Sequence, residues 1–374
     1  MQNSEILNKK KTILHVTNSN AKSQYLLSIA RLYNKEKYNV IIGCFDGYGE
    51  LNTALEKMGI ETFNIPIKNN FQYFFKIIRL YRLIKQKKID ILHLHTFFVS
   101  FIGILSGRMA RVQQIVVTRH HADQHIRLKK KIHIAIDSWT AKKSDKVIAV
   151  SKFTKNILIK TENVPERKVK VIYNGIEPLL YSTQFEKNSF LSENKIPVDA
   201  NLFLCISRLY YEKNIALIIN ALATSDTFSN FHLLVAGSGL GNKYHDQLIS
   251  LIQSKKLEGR VHFLGFRNDI ANLISISDAL IHPSFSESFG FAALEAMAQE
   301  KSLIISNIPS FHEIATDEIA YFFEPTDINS LSKAITLWIN SRDNEIRVKK
   351  GKKRFEMLFT FKTMISEYEK YYEE

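Results

Sequence analysis

Residues 281–307 read IHPSFSESFGFAALEAMAQEKSLIISN, and this stretch decides the fold. Its apolar start predicts a strand that ends near His282, and a serine-rich loop leads from there to Gly290. The following residues predict a helix over Ala292–Ala298 and a second strand over Leu303–Ser306. A strand, a helix and another strand in this order are typical of a parallel β–α–β unit.

The same alternation extends outward over the whole chain of 374 residues. Helical patterns such as Ser23–Tyr33 and Leu51–Met58 separate short apolar runs that predict strands. Besides Leu303–Ser306, these predicted strands are Thr12–Thr17, Val40–Phe45, Thr62–Ile65, Asp90–His95, Gln114–Thr118, Lys146–Val150, Leu202–Ser207, Phe231–Ala236, Val261–Leu264, Ala279–Ile281 and Ala320–Phe323. The chain is therefore predicted to be an α/β protein with parallel sheets.

The strand–helix pattern pauses once, at the turn signal Asn174-Gly175 and the polar stretch Ser182–Ala200. We therefore predict two Rossmann-like, doubly wound domains, residues 1–178 and 179–374, which face each other across a cleft. Ligands of such sheets bind beyond the carboxyl ends of the strands. The last helix, about 361–373, has an apolar stripe that either completes the second domain or packs back on the first.

Composition and cysteine content favour a cytoplasmic protein. Hydrophobic residues make up 45% of the chain, and its two cysteines, Cys44 and Cys205, lie in different predicted domains, which argues against a disulfide framework. The first residues, MQNSEILNKKKTILHV, show no signal peptide. The longest apolar stretch, FFVSFIGILSG over residues 97–107, is too short to span a membrane.

The positive charge is confined to the N-terminal half. Residues 1–180 contain 31 Lys and Arg against 13 Asp and Glu, whereas the remaining residues contain 20 against 24. This excess suits nucleic acid, an anionic membrane or phosphorylated substrates, and it also fits lysines that merely cover solvated faces. No helix-turn-helix, zinc-finger or RRM pattern supports nucleic acid as a partner.

The loop before the predicted helix 292–298 is suited to an anion. Gly290 permits close approach of the backbone, and the free N–H groups of Ser288, Phe289, Gly290 and Phe291 add to the positive end of the helix dipole. Glu287 precedes this loop, and Glu295 lies two turns into the helix. Both carboxylates are positioned to accept hydrogen bonds from sugar hydroxyls, although dipole complementation alone also explains acidic residues here.

Three other strand ends carry residues that suit the same ligand. Arg208 and Lys213 follow one strand, and their charges can neutralise a diphosphate, although Lys213 also has Glu212 as a neighbour for a surface pair. Gly237 and Gly239 follow the next strand and allow a close ligand. Phe266 and Arg267 follow a third strand and are candidates for the rim of a base site.

These motifs resemble family 4 of the glycosyltransferases, the retaining GT-B enzymes. PSFSESFGFAALEAMA matches the family's two glutamates with seven intervening residues, and SRLYYEKN resembles its Arg and Lys segment. VIYNGIE resembles the family's interdomain junction, and DILHLH and VVTRHH resemble its N-terminal strand ends.

The resemblance implies residue roles and a reaction class. Arg208 and Lys213 hold the diphosphate, Glu287 contacts the transferred sugar, Glu295 contacts the ribose, and His120 faces the reaction centre. The N-terminal domain binds the acceptor and the C-terminal domain binds the nucleotide sugar. The implied enzyme is a hexosyltransferase that uses a UDP- or GDP-sugar as co-substrate, with no further cofactor. Its acceptor is a saccharide or a lipid-linked molecule in bacterial polysaccharide, lipopolysaccharide or glycolipid synthesis.

Two features depart from the family pattern. The stretch HVTNSNAKSQ, residues 15–24, has no glycine where the family usually has a Gly-Gly loop, and Glu300 and Ser302 replace a usual Gly and Pro. The missing loop favours, as an alternative, a non-catalytic GT-B partner subunit. A nucleic-acid-binding protein and a GT-B nucleotide-sugar epimerase are further alternatives. For His93, His95 and His121 we expect structural roles.

No Asp-x-Asp motif is present, so no metal is predicted at the diphosphate.

The helix predicted over Phe71–Lys88 suggests that the protein contacts an anionic membrane peripherally, at the inner face of that membrane. We expect one stripe of this helix to lie in the core, namely Phe74, Ile77, Ile78, Tyr81 and Ile84. The other side carries cations and large apolar residues, namely Lys76, Arg79, Arg82, Lys87, Phe75, Leu80 and Leu83. The cluster Arg127, Lys129, Lys130 and Lys131 adds charge, and a helix buried on two sides is the alternative.

Overall fold

Two parallel β-sheets organise the protein. The computed structural model describes residues 10–66, 73–178 and 185–374. By their internal contacts these divide into a first unit, Met1–Gly175 with Phe361–Glu374, and a second unit, Ile176–Thr360. The boundary along the chain therefore falls between residues 175 and 176, rather than between 178 and 179, and the last helix belongs to the first unit.

The first unit contains a seven-stranded sheet in the order β3-β2-β1-β4-β5-β6-β7. All its neighbouring strands pair in parallel. Its strands are β1 (Lys11–Thr17), β2 (Tyr38–Cys44), β3 (Glu61–Asn64), β4 (Ile91–Leu94), β5 (Gln114–Arg119), β6 (Lys146–Ala149) and β7 (Val169–Val171). The strand order reverses beside β1, which is where open α/β sheets bind ligands.

Eight helices surround this sheet among the described residues. They are α1 (Gln24–Leu32), α2 (Glu50–Lys57), α3 (Tyr73–Lys87), α4 (Phe97–Ala110), α5 (Gln124–Arg127), α6 (Lys131–Lys143), α7 (Lys152–Asn156) and, from the end of the chain, Phe361–Glu373. One face of the sheet packs on α1, α2 and the last helix, and the other packs on α3 and α4. Burial on both faces explains why its central strands are nearly continuous apolar runs.

The second unit contains a six-stranded parallel sheet in the order β10-β9-β8-β11-β12-β13. Its strands are β8 (Asn201–Ile206), β9 (Phe231–Ala236), β10 (Val261–Gly265), β11 (Ala279–His282), β12 (Ser302–Ser306) and β13 (Ala320–Phe323). Its helices are α8 (Lys187–Glu193), α9 (Ile215–Leu222), α10 (Lys243–Ser254), α11 (Ile270–Ile276), α12 (Phe291–Ala298), α13 (Pro309–Ile314), α14 (Ile328–Asn340) and α15 (Asn344–Leu358). The last helix is α16. The predicted α/β class is confirmed.

The stretch predicted as a polar connection contains a helix. Residues 179–184 lie outside the described part, but α8 begins at Lys187 and buries Phe190 and Leu191. Each predicted strand is present within one or two residues of its expected bounds, and β7 was not predicted. This short strand, with Lys170 at its centre, lies at the edge of its sheet, where few apolar residues are needed.

The predicted core stripe of α3 was partly right, because Ile84 is buried and Ile77 and Tyr81 pack against the core, but its start and one flank were wrong. Phe74 is 65% exposed and Phe75 is 63% exposed, whereas Lys76, Leu80 and Ile84 are buried. The Nζ atom of Lys76 donates to the carbonyl oxygen of Phe45 at 3.1 Å and lies 4.1 Å from the centroid of its ring. A lysine at this position is tolerated because its charge finds a carbonyl and an aromatic face. Residues 71 and 72 of the predicted helix lie outside the described part.

Helix α16 is anchored to the first unit by its aromatic residues. Tyr368 and Tyr372 are buried, and the hydroxyl of Tyr368 lies 2.7 Å from that of Tyr25. The hydroxyl of Tyr372 lies 2.8 Å from that of Tyr33 and 2.6 Å from Nδ1 of His93. Each buried hydroxyl therefore has a partner, which makes burial of the tyrosines favourable.

No helix of the described residues has the length and apolar character of a transmembrane span.

Candidate functional site

Glu287 is the centre of a buried polar cluster in the second unit. Its Oε1 atom lies 2.9 Å from Nε2 of His282 and accepts a hydrogen bond of 2.9 Å from the hydroxyl of Ser284. The Nζ atom of Lys213 donates to the same oxygen. Because an ionised carboxylate only accepts, His282 donates from Nε2, and its buried Nδ1 has no hydrogen-bond partner among the described residues.

The electrostatics of this cluster keep Glu287 ionised. Burial raises the pKa of a carboxyl group, but the hydrogen bond from His282, the charge of His282 and the charge of Lys213 lower the pKa of Glu287 to about 2. The carboxylate of Glu287 is therefore ionised at neutral pH, beside the ammonium group of Lys213.

Local structure brings Lys213 and Glu287 together. Lys213 ends a single 3₁₀ turn after β8, and the next residue, Asn214, caps α9 with a left-handed φ of 55°. The amide of Asn214 donates to the carbonyl oxygens of Pro283 at 3.1 Å and Pro325 at 2.7 Å, so it joins the loops that follow β8, β11 and β13. The backbone N–H of Phe285 also donates to the carbonyl of Glu212 at 3.0 Å.

The beginning of α12 requires glycine. Gly290 caps this helix with φ of 103°, a left-handed conformation that other residues rarely adopt. A Cβ atom there would also lie 2.5 Å from the ring of Phe311. Phe289 is buried, Ser288 is half-buried and Phe291 is exposed. The predicted loop of N–H groups thus precedes a true helix N-terminus.

Glu295 differs from Glu287 in its protonation. It lies in α12 and is half-buried, and burial raises its pKa to about 7. Its carboxyl group is therefore partly protonated near neutral pH, and a hydrogen-bonding ligand that keeps it ionised would lower that pKa.

Close packing of loops explains the predicted glycine pair. A Cβ atom on Gly237 would lie 1.9 Å from the carbonyl oxygen of Ser207. Gly239, with φ of 115°, lies close to Leu209, and a Cβ atom there would be 3.0 Å from the Cβ of that leucine. The backbone N–H of Gly237 donates to the carbonyl of Gly265 at 2.8 Å. These contacts join the ends of β8, β9 and β10, and so backbone packing alone accounts for both glycines.

The remaining donor-side residues lie outside the Glu287 cluster. Arg208 is exposed, and its guanidinium carbon lies 5.1 Å from the centroid of Tyr210. Arg267 forms two hydrogen bonds to Asp269, of 2.7 and 2.6 Å. Phe266 beside it is 74% exposed. Of the predicted residues, the structure therefore joins Lys213 to Glu287, and it leaves Arg208 and Phe266 with free surfaces.

His120 belongs to a histidine network in the first unit. It follows β5, its Nε2 lies 3.4 Å from Nδ1 of His95, and the ring of Tyr25 contacts its ring edge-on. Burial and the neighbouring His121 lower the pKa of His120 to about 4, so its imidazole is neutral at neutral pH. His93 is held between hydroxyl groups of Tyr372 and Thr118, both at 2.6 Å, which is the environment of a structural histidine.

Asn20 occupies the loop where the glycine pair is absent. Its side-chain amide donates to the backbone carbonyl of Gly47 at 3.0 Å, and its backbone carbonyl accepts a hydrogen bond from the N–H of Leu51 at 2.9 Å. A Cβ atom on Gly49 would lie 2.7 Å from the side chain of Asn20. In this chain the loop after β1 is therefore held to the loop before α2.

The prediction missed His282, Ser284 and Asn214. Two of these precede Glu287 within the quoted segment, and a histidine at a strand end next to a serine-rich loop was the available signal. Asn214 directly follows Lys213, but its bonds to two distant prolines leave no trace in the local pattern.

Comparison with known families covers most of the chain. Residues 23–178 match the family model described as Glycosyltransferase Family 4, and residues 186–355 match the one described as Glycosyl transferases group 1.

Curated relatives and a solved structure agree with these matches. An uncharacterized glycosyltransferase of Methanocaldococcus jannaschii is 33% identical over 62% of this chain and 61% of its own length. The UDP-Gal:alpha-D-GlcNAc-diphosphoundecaprenol alpha-1,3-galactosyltransferase of Escherichia coli is 27% identical over 69% of this chain and 68% of its own length. This chain thus spans about three fifths of the first relative.

The crystal structure of HepE of Anabaena in complex with UDP and glucose is 22% identical, with a TM-score of 0.82 over 96% of this chain and 99% of that one. This likeness establishes the GT-B fold.

Proposed function

The chain belongs to the GT4-type glycosyltransferases, and from this membership we propose that it transfers a sugar from a UDP- or GDP-sugar to a saccharide or lipid-linked acceptor. The transfer retains the configuration at the anomeric carbon. One observation carries the proposal: an ionised carboxylate, Glu287, and an ammonium group, Lys213, are paired at the strand ends of the second unit. In a nucleotide sugar the hydroxyl-bearing ring is attached directly to the anionic diphosphate, so adjacent opposite charges complement it.

The leaving group is stabilised by fixed positive charge. Lys213 and the N-terminus of α12 at Gly290 face the diphosphate, and the exposed Arg208 is free to turn towards it. Such preorganised groups stabilise charge that develops as the bond to the sugar breaks. The proposal therefore requires no divalent metal at the diphosphate, in keeping with the absence of an Asp-x-Asp motif.

Two carboxylates distinguish the two sugars of the donor. Glu287 accepts hydrogen bonds from hydroxyls of the transferred sugar, and Glu295 accepts them from the ribose. His120, whose imidazole is neutral, is the candidate catalytic residue of the first unit. The acceptor hydroxyl attacks the anomeric carbon on the same face from which the diphosphate departs. The departing phosphate takes the proton of that hydroxyl.

A lipid-linked acceptor is the more specific part of the proposal. The relative in Escherichia coli acts, by its name, on a diphosphoundecaprenol-linked sugar. In the first unit, Phe74 and Phe75 are exposed at the start of α3, with Arg79 and Arg82 exposed in the same helix. Cations interleaved with exposed aromatic rings suit the boundary between lipid headgroups and acyl chains. We therefore propose a cytoplasmic enzyme that contacts the inner face of the membrane.

A second exposed surface of the same composition lies around α5. It combines Leu128 and Ile132 with the exposed cations Lys129, Lys130 and Lys131. Each cation near an anionic membrane contributes about 1 kcal/mol. In this proposal the basic residues of the N-terminal half hold the enzyme at the membrane that contains its acceptor.

The test begins with a panel of UDP-, GDP- and ADP-sugars, scored by the rise in Tm. A specific donor at 100 times its Kd stabilises the folded protein by about 2.7 kcal/mol. The selected donor is then incubated with candidate acceptors, and the anomeric configuration of the product is assigned by NMR. A donor that binds but is only epimerised, or a chain that binds no donor, would contradict the proposal.

A further inference from the structure

A second cluster of chemistry-bearing side chains lies in the first unit and has no part in the proposed transfer. Asp137 in α6 is buried, and its Oδ2 atom lies 2.9 Å from Nε2 of His121 and 2.8 Å from Nδ1 of His125. His121 follows β5, and His125 belongs to α5. Two imidazoles from separate segments thus contact the same carboxylate oxygen, Oδ2 of Asp137.

The spacing of these groups matches that of zinc ligands. The three ligand atoms all lie within 4.8 Å of one another. The ring centroids of His121 and His125 are 4.9 Å apart, at an interplanar angle of 53°. Two imidazoles bound to one tetrahedral zinc, with Zn–N distances near 2.0 Å, have their centroids ~5 Å apart. A cation would enter by widening the present N···O hydrogen-bond distances to ~3.3 Å.

The charge around the cluster leaves Asp137 available as an anionic ligand. Arg119 lies 3.5 Å from its Oδ2, but the guanidinium is neutralised by two bonds to Glu162, of 2.7 and 3.1 Å. The three acidic and basic groups Arg119, Glu162 and Asp137 together carry one net negative charge.

His133 lies beside the cluster, against the ring of His125. Its ring lies 4.9 Å from that of His125, and its Nδ1 atom is buried without a hydrogen-bond partner among the described residues. A buried nitrogen without a partner is costly. Zinc with three protein ligands keeps a water in its fourth position.

We propose that His121, His125 and Asp137 form a binding site for Zn²⁺ or a similar divalent transition metal. Imidazole nitrogens select this class over Mg²⁺ and Ca²⁺, which prefer oxygen ligands. The side chains of His121 and His125 are 23% and 15% exposed, so a cation reaches them from solvent. The bound metal joins the loop after β5, which begins with His120, to α5 and α6.

The other histidine cluster of the unit does not share these properties. His15, His93 and His95 are buried, and both ring nitrogens of His93 already contact hydroxyl groups. The surface position of the His121 cluster and its carboxylate therefore distinguish it.

Zinc retention tests the proposal directly. The full chain is stripped with a chelator, loaded with Zn²⁺, dialysed and assayed for metal content and for Tm. We expect one zinc per chain and a higher Tm, and we expect His121→Gln and His125→Gln each to weaken binding by ~100-fold or more. His262→Gln is the matched control, because His262 and His232 are 3.1 Å apart in the second unit without a carboxylate ligand.

A measurement on the unaltered chain guards against variants that fail to fold. Zinc is expected to slow the modification of His121 and His125 by diethyl pyrocarbonate, read by peptide mass spectrometry, and to leave His245 unaffected. Zinc that dialyses away from the unaltered chain, that binds both variants as tightly as the unaltered chain, or that protects no histidine of the cluster would overturn the proposal.

Discussion

Lys213 and Glu287 form an ion pair although 74 residues separate them in the sequence. Their side chains are only 16% and 15% exposed, and the same carboxylate oxygen also contacts His282 and Ser284. Removing either partner therefore leaves the other as a largely buried group without its counter-ion. This pair is the most sensitive point of the proposed donor site.

We expect Glu287→Gln and Lys213→Ala each to reduce sugar transfer by ~10²–10³, because each removes a group that stabilises developing charge. Initial rates with the donor selected above measure the effect, and circular dichroism checks the fold. Lys352→Ala and Glu300→Gln break a more exposed ion pair of 2.6 Å in the same unit and should leave the rate unchanged. Normal turnover by a folded Glu287→Gln protein would refute the assignment.

Glu295→Gln is expected to stabilise the ligand-free protein at high pH and to weaken donor binding. The pKa of Glu295 is raised from 4.5 to about 7, so the folded state binds more protons than the unfolded state between these values. Stability is therefore lost as the pH rises from 4.5 to about 7, and glutamine avoids that loss.

The measurement for Glu295 is Tm at two pH values. At pH 8 the variant should exceed the unaltered chain by roughly 2–4 °C, which corresponds to about 1 kcal/mol. Near pH 4.5, where the group is protonated in both states, the difference should vanish. An equal difference at both pH values would show that ionisation of Glu295 is not its cause.

Gly237→Ala is expected to destabilise the second unit, because the new Cβ would lie 1.9 Å from the carbonyl oxygen of Ser207. Such overpacking costs ~3 kcal/mol, or roughly 6–12 °C in Tm for a domain of this size. Gly259→Ala is the control, since a methyl group at that position would have no other atom within 4 Å. A variant at Gly237 with unchanged Tm would mean that the loops after β8 and β9 are less closely packed than described.

Mg²⁺ and Mn²⁺ should not stimulate the transfer. The protein is treated with EDTA, separated from it, reloaded with Zn²⁺ where the His121 site needs it, and assayed with and without either ion. Cationic side chains and a helix N-terminus hold the diphosphate in the proposed mechanism, so we expect less than a twofold change. Activity that depends on Mg²⁺ or Mn²⁺ would indicate a metal-bridged diphosphate instead.

Vesicle co-sedimentation tests the membrane contact of α3. Binding should require anionic lipid, weaken with salt, and fall when Arg79 and Arg82 are changed to Glu or when Phe74 and Phe75 are changed to Ser. Lys76 is left intact, because it is buried. Changing Lys349 and Lys353, which are exposed in the second unit, to Glu is the charge-matched control. Equal binding to neutral and anionic vesicles, or no binding to either, would leave the basic residues without a role at the membrane and would point to a soluble acceptor.

The sequence predicted the strands well because buried parallel strands are short, continuous apolar runs, as in Phe231–Ala236. It identified the buried face of α3 only in part, because large apolar residues occur on every side of this helix and periodicity cannot select one face. Lys76 is buried because its Nζ atom contacts the carbonyl oxygen and the ring of Phe45.

The position of the candidate donor-side residues at one edge of the sheet was predictable, since the carboxyl ends of parallel strands meet there. Their pairing was not. The contact of Lys213 with Glu287 depends on Asn214, whose amide joins loops that are far apart in the chain. The protonation states of Glu287 and Glu295 likewise follow from burial and neighbours rather than from residue type.

The assignment of α16 to the first unit has a consequence for biosynthesis. A ribosome must translate all of Ile176–Thr360 before it reaches Phe361, which takes roughly 10–40 s at bacterial to eukaryotic elongation rates. Throughout that interval the apolar surface that Tyr368 and Tyr372 later cover is open to solvent, and it is a natural target for chaperones. The second unit is contiguous in sequence, so the half of the protein that is made later is the half that can finish folding first.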